Sequence, residues 1–120
     1  PEPHFFSTEH ARGVEHYRSL FAAAAPGQLV GEKSADYLAH PEAPERAAAL
    51  LPAARLVAQL RNPVERAYSD YKMLYRRGTV SGPPEEYLRP DSTQPRFLSG
   101  GLYAQHLRRW LDRFPAEQLC

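Results

Sequence analysis

Arg61 and Ser69 are residues whose types and spacing suit the binding of an anion. The apolar run at residues 56–60 ends abruptly at Arg61, and Asn62-Pro63-Val64-Glu65 follows as a helix start. The Arg61 guanidinium, the free backbone N–H groups of that helix start and the Ser69 hydroxyl together favour a phosphate or sulfate. By pattern alone, a structural role is slightly favoured, in which Arg61 pairs with a carboxylate and Ser69 packs against a neighbouring helix.

The elements that must position this pair are helices alternating with short apolar strands. Residues 56–60 are typical of a strand buried on both faces of a parallel sheet, and residues 29–30 form a second strand candidate. The patterns predict helices over 7–24, 44–51, 63–77 and 102–114, and one helical turn at 85–87. Ser7 or Thr8 is the expected cap of the first helix. This alternation predicts a layered α/β fold, with ligands at the carboxyl ends of the strands.

Composition excludes several other classes of protein. The 120 residues carry a net charge of +1, which gives no reason to expect nucleic acid or an acidic membrane as a partner. Cys120 is the single cysteine, so an internal disulfide is not possible, and the five histidines lack zinc-site spacing. Apolar runs fall short of the ~20 residues of a membrane helix, so we expect no membrane contact by this segment.

A longer motif extends the anion site. Residues 61–71, with the sequence RNPVERAYSDY, resemble the 3′-phosphate-binding motif of the PAPS-dependent sulfotransferases. PAPS (3′-phosphoadenosine 5′-phosphosulfate) is the sulfuryl donor of this family. Carried over by position, the resemblance implies that Arg61 and Ser69 hold the 3′-phosphate of the donor.

Three further segments resemble heparan sulfate N- and 3-O-sulfotransferases, in the same order along the chain. They are EPHFF at residues 2–6, the loop GEKSADY at 31–37, and GGLY at 100–103 leading to Trp110. The resemblance implies a three-layer α/β/α, P-loop NTPase-like sulfotransferase fold with a parallel sheet. It implies that residues 1–120 are a partial, incomplete domain, with the 5′-phosphosulfate loop upstream of Pro1 and the loop over the adenosine downstream of Cys120.

The implied reaction moves a sulfuryl group from PAPS to a hydroxyl or amine of a carbohydrate acceptor resembling heparan sulfate. Glu2 is then the catalytic base, and Lys33 contacts the reacting sulfuryl group or acidic groups of the acceptor. His4 helps to form the acceptor site, and no metal is needed. Without the resemblance, Glu2 reads as an exposed acid, Lys33 as a solvated lysine and His4 as a polar residue at a strand edge.

Alternatives remain open at this point. A chondroitin-type enzyme is the nearest alternative, because its arginine and late-helix motifs look much the same, and another carbohydrate or small-molecule sulfotransferase stays open as well. Leu102 stands where N-sulfotransferases have a tryptophan against the nucleotide. A P-loop nucleotide kinase or NTPase would need a Walker lysine loop, and a non-catalytic binding relic would have a damaged upstream loop. The resemblance implies a Golgi lumenal location in a eukaryote and a cytoplasmic one in a bacterium.

Overall fold

The computed structural model describes residues 2–120, which form short helices joined by turns. Unit 1 contains the described residues up to Val57 together with Arg109–Cys120, and unit 2 contains Ala58–Arg108. The α-helices are α1 (Val14–Ser19), α2 (Ala43–Leu50), α3 (Pro63–Arg76), α4 (Pro84–Tyr87), α5 (Arg96–Ser99) and α6 (Tyr103–Leu111). Two 3₁₀-helices span His10–Arg12 and Ala116–Gln118.

The core of unit 1 is aromatic. The Phe5 ring stacks on Tyr17 with 4.6 Å between ring centroids, and Trp110 stacks on Phe114 at 5.9 Å. Large flat rings bury much apolar area each, so a few of them can organise a small core. Its buried members are Phe5, Phe6, Tyr17, Ala43, Ala47, Trp110 and Phe114.

The first helix begins later than its sequence pattern indicates. The Ser7 hydroxyl donates to the carbonyl oxygen of His4 at 3.0 Å, so it stabilises a turn and does not cap a helix. Gly13 precedes α1 with φ +83°, a conformation that favours glycine. The expected cap at Ser7 or Thr8 is therefore wrong, and Tyr17 of α1 is buried among core residues.

Strand pairing within residues 2–120 amounts to one isolated parallel bridge between Leu56 and Leu119. Leu56 N donates to Gln118 O at 2.7 Å, and Cys120 N donates to Leu56 O at 2.9 Å. Val57 is 83% exposed, so burial of residues 56–60 on both faces is wrong, and residues 29–30 form no strand. A strand needs backbone partners alongside it, and the described residues supply them only at this bridge.

Helix α3 of unit 2 starts and ends as its sequence predicts. The Asn62 side-chain oxygen accepts from Val64 N at 2.9 Å and from Glu65 N at 3.3 Å, and Pro63 occupies the first helical turn. Gly78 adopts φ +71° just beyond the last turn. Cap, proline and terminal glycine thus set the limits of α3 by local chemistry.

Arg66 of α3 makes hydrogen bonds to the backbone of α5. Its Nη2 donates to the carbonyl oxygens of Arg96 and Phe97 at 2.9 and 2.5 Å, and Phe97 is fully buried. A Cβ atom at Gly100 would lie 2.7 Å from the Arg66 guanidinium, so a side chain there would displace it. Arg66 therefore has a structural role in unit 2, and α5 is a helix that the sequence pattern did not predict.

The last predicted helix is shorter than expected. Helix α6 covers Tyr103–Leu111 in place of residues 102–114. The His106 side chain is buried in unit 2, and its Nε2 lies 2.8 Å from the carbonyl oxygen of Ser99. Within residues 2–120, the helices are too short or too polar to cross a membrane.

Candidate active site

Glu2 and Lys33 are brought together in unit 1, although 31 residues separate them along the chain. Glu2 Oε1 accepts a hydrogen bond from Lys33 Nζ at 2.8 Å, and Glu2 Oε2 accepts one from the backbone N–H of Ala35 at 2.9 Å. Both carboxylate oxygens are therefore held by the loop at residues 31–37. The two residues assigned to catalysis by resemblance share one site.

These hydrogen bonds determine the protonation of Glu2. The Ala35 N–H and then the Lys33 ammonium stabilise the carboxylate, and together they lower the pKa of Glu2. Glu2 is thus ionised at neutral pH and able to accept a proton. The Lys33 side chain is 79% exposed and is free to reach another anion.

His4 lies between two carboxylates. Its Nδ1 is 2.9 Å from Asp36 Oδ1, and its Nε2 is 3.7 Å from Glu2 Oε2. The hydrogen bond with Asp36 raises the pKa of His4. Burial alone would raise the pKa of Asp36, but the nearby Ser7 hydroxyl and the hydrogen bond from His4 leave that pKa below its ordinary value.

The Glu2 cluster consists of Glu2, His4, Lys33, Ser34 and Asp36. The sequence analysis missed two of its members, Ser34 and Asp36. The buried Ser34 hydroxyl accepts from His4 N at 2.9 Å and donates to Glu32 Oε2 at 3.3 Å, and burial raises the pKa of Glu32. Both residues belong to the GEKSADY loop, from which only Lys33 was singled out. The density of polar side chains in this short loop was the available signal.

Arg61 and Ser69 lie in unit 2, at the start of α3 and two turns along it. Arg61 is half exposed, and its Nη2 is 3.7 Å from Glu65 Oε2. Ser69 lines a surface depression of about 340 Å³, together with Lys72, Met73, Arg76 and Arg77. Arg61 is not part of that lining, so their joint hold on one phosphate stays a prediction.

The depression beside Ser69 is positively charged. Ser69, Lys72 and Arg76 recur at a helical spacing of three and four residues and therefore share one face of α3. The ion pairs found among residues 2–120 do not include Lys72, Arg76 or Arg77. Lys72 Nζ lies over the Tyr68 ring, 4.7 Å from its centroid, a contact that leaves its charge uncompensated. Cations outside those ion pairs, placed around a hydroxyl, create a positive potential that fits a phosphate group.

A solved structure shares this architecture. The crystal structure of a sulfotransferase from Alicyclobacillus acidocaldarius matches the chain with a TM-score of 0.81 and 32% identity. The match covers 91% of this chain and 47% of the bacterial one. The fold is therefore that of part of a sulfotransferase. No family model matches the chain.

Curated relatives define the group more narrowly. Human heparan sulfate glucosamine 3-O-sulfotransferase 6 is 40% identical across 95% of this chain, and mouse heparan sulfate glucosamine 3-O-sulfotransferase 3B1 is 36% identical across 98%. The bifunctional heparan sulfate N-deacetylase/N-sulfotransferase 1 of Caenorhabditis elegans is 36% identical across 98%. The chain is a homologue of heparan sulfate sulfotransferases, and that predicted resemblance is confirmed.

The chain spans only part of these relatives. It covers 35% of the human protein, 32% of the mouse protein and 15% of the nematode protein. Because the alignments nevertheless include 95–98% of this chain, α3, which lies in its middle, falls within the homologous segment.

Proposed function

We propose that the protein transfers a sulfuryl group from PAPS to a hydroxyl or amine of a heparan sulfate-like glycosaminoglycan. The observation that carries this proposal is the contact between Glu2, Lys33 and His4, which come from two separate segments of unit 1. Homology to heparan sulfate sulfotransferases supports both the reaction class and the acceptor class.

The domain proposal follows from the coverage of the relatives. Residues 1–120 would form one part of a sulfotransferase domain with a three-layer α/β/α architecture and a parallel sheet. The parallel bridge at Leu56 and the exposed apolar side chain of Val57 are in keeping with further strands pairing there. In a eukaryote such an enzyme would lie in the Golgi lumen, and in a bacterium it would be cytoplasmic.

The donor would be held through its phosphates. Arg61 and Ser69 would bind the 3′-phosphate, and the positive depression beside Ser69 is a fitting surface for a polyanion. When bound, PAPS supplies the sulfuryl group and a good leaving group. We assign Arg61 and Ser69 to binding and orientation, with no part in bond making.

Glu2 would remove the proton of the acceptor. As the acceptor oxygen or nitrogen forms its bond to sulfur, the bond between sulfur and the 5′-phosphate oxygen of the donor breaks, and 3′-phosphoadenosine 5′-phosphate leaves. The proton of the acceptor passes to the Glu2 carboxylate, which acts as general base. In the resting protein, the hydrogen bond from Lys33 weakens Glu2 as a base. Because Lys33 is largely exposed, it can turn to the sulfuryl oxygens, which frees Glu2 and strengthens it as a base.

Leu102 helps to decide whether the acceptor atom is an oxygen or a nitrogen. In N-sulfotransferases a tryptophan at the matching place lies against the nucleotide, whereas Leu102 cannot stack in the same way. Its side chain is exposed in unit 2. We therefore favour a hydroxyl over an amine within the proposed acceptor class.

The test uses the full-length protein, PAPS with a labelled sulfuryl group and a panel of acceptors. The panel contains heparan sulfate, N-desulfated heparan sulfate, chondroitin and a small phenol. We expect label on heparan sulfate and a smaller gain on the N-desulfated chain. Label on chondroitin or the phenol alone would reassign the acceptor, and no transfer to any acceptor would reject the activity.

A further inference from the structure

The His4 backbone is held in an unusual conformation. Its φ is +51°, a left-handed value that is costly for a residue with a Cβ atom. Four hydrogen bonds maintain it. His4 N donates to Ser34 Oγ at 2.9 Å, and His4 O accepts from Ser7 N at 3.1 Å, Ser7 Oγ at 3.0 Å and Glu9 N at 3.0 Å. A strained backbone conformation that hydrogen bonds hold in place often marks a functional side chain.

The carboxylate of Asp36 determines which way the imidazole faces. An ionised carboxylate can only accept, so the Nδ1 atom of His4 carries the hydrogen that is donated to Asp36. The ring is then fixed with Nε2 on the side of Glu2 Oε2, at 3.7 Å. Both His4 and Asp36 are partly exposed, so a ligand can approach this edge of the ring.

We propose that Asp36 is a positioning residue that orients His4 and stabilises its imidazolium form, so that its Nε2–H is presented to the acceptor beside Glu2. This inference rests on the proposed function. An imidazolium N–H next to the base is suited to an oxygen of an acidic sugar. Asp36 itself would touch neither reactant.

Charges on every side of His4 agree with this role. Asp36 lies at Nδ1, Glu2 at Nε2, and Glu9 adds a further negative charge; each of them favours the imidazolium. Glu32 is linked to the same backbone through Ser34. Lys33 is a neighbouring cation, and its hydrogen bond is directed to Glu2.

The sign of the pH dependence follows. Glu2 must be ionised, so activity falls as the pH drops through the lowered pKa of Glu2. His4 must be protonated, so kcat/KM for the acceptor falls as the pH rises through the raised pKa of His4. Asp36→Ala removes the largest cause of that raised pKa, and the alkaline limb should therefore move to lower pH.

The experiment compares the full-length wild type with Asp36→Ala and Asp36→Asn. We expect Asp36→Ala to lower kcat/KM roughly ten- to a hundredfold, mainly through acceptor KM, as when a carboxylate that orients a metal-bound histidine is removed. Binding of the product nucleotide should not change. Asp36→Asn should restore much of the KM, because its amide oxygen still accepts from Nδ1, but not the alkaline limb, because the amide is neutral.

Asp112→Ala is the matched control, since Asp112 is an exposed acid of the same unit outside the cluster. Nitrogen-15 NMR of the imidazole reports tautomer and titration of His4 without any need for turnover. An unchanged His4 titration in Asp36→Ala, or an unchanged acceptor KM and pH profile, would overturn the inference. If Asp36→Ala does not fold, the His4 titration and the alkaline limb are compared between the wild type and Asp36→Asn, in which both should move to lower pH; no movement of either would overturn the inference. Absence of transfer by the wild type would instead reject the proposed function, and the NMR titration would still decide whether Asp36 orients His4.

Discussion

The Glu2 cluster of unit 1 and helix α3 of unit 2 carry the two halves of the proposed chemistry, and they are built differently. The hydrogen bonds of Glu2 join residues 31 to 33 positions apart, and most charged groups of the cluster are already paired. On α3, by contrast, Asn62 caps its own helix, and Ser69 faces cations one and two turns away. The charged groups of the Glu2 cluster are held in place by pairing with one another, whereas the cations on α3 are left to pair with a ligand.

The strongest test of this difference is the loss of the paired base. Glu2→Gln keeps the size of the side chain and one acceptor oxygen, but cannot take up a proton at neutral pH. Turnover should fall by about 100- to 10,000-fold, the usual contribution of a general base, while nucleotide affinity stays unchanged. Initial rates with labelled PAPS and calorimetric binding of the product nucleotide measure the two effects separately.

Glu15→Gln is the control for this substitution. Glu15 is also an acid of unit 1 with a cation 2.8 Å away, but its partner Arg18 is on the same helix. Its replacement should leave turnover close to that of the wild type. A Glu2→Gln protein with near-normal turnover would remove Glu2 from the mechanism.

The open half of the comparison is tested at Arg61. Arg61→Ala should weaken nucleotide binding about tenfold to a hundredfold, because a hydrogen bond to a charged group contributes roughly 1.5–3 kcal/mol. Its half-exposed side chain pairs with Glu65 at 3.7 Å, and exposed ion pairs contribute little to stability, so the thermal stability should change little. Titration calorimetry with the product nucleotide gives the affinity, and a thermal melt gives the stability.

Arg18→Ala removes an exposed arginine with a similar acidic neighbour and should not affect nucleotide affinity. If Arg61→Ala binds the nucleotide as tightly as the wild type does, the phosphate site at α3 is rejected. The Glu2 cluster would then have to be judged by its own test.

The smallest expected effect concerns the local origin of α3. Asn62→Ala removes the side-chain oxygen that satisfies two backbone N–H groups and should lower the free energy of unfolding by about 1 kcal/mol. Asn62→Ser retains a capping oxygen and should lie close to the wild type. Urea unfolding midpoints compare the two, and equal stability of all three proteins would contradict the capping argument.

The sequence predicted those features that depend on neighbours along the chain. The limits of α3 follow from Asn62, Pro63 and Gly78, and the structure confirms them. Helix α2 lies within one residue of its predicted range, since Pro44 occupies its first turn and Pro52 comes shortly after its end. By contrast, residues 29–30 and 56–60 look like strands by composition, but a strand forms only where another segment pairs with it.

The candidate site divides along the same line. By itself the sequence indicated the family, because the motifs around Glu2, Lys33, Arg61 and Ser69 resemble sulfotransferase motifs, and the homologues agree with that family. The roles of these four residues stay predictions. Only the tertiary structure decided that Glu2 meets Lys33 and Ala35 and that Asp36 meets His4. The physical reason is distance: a helix cap is satisfied within four residues, whereas these charged groups meet only once the aromatic core of unit 1 has packed.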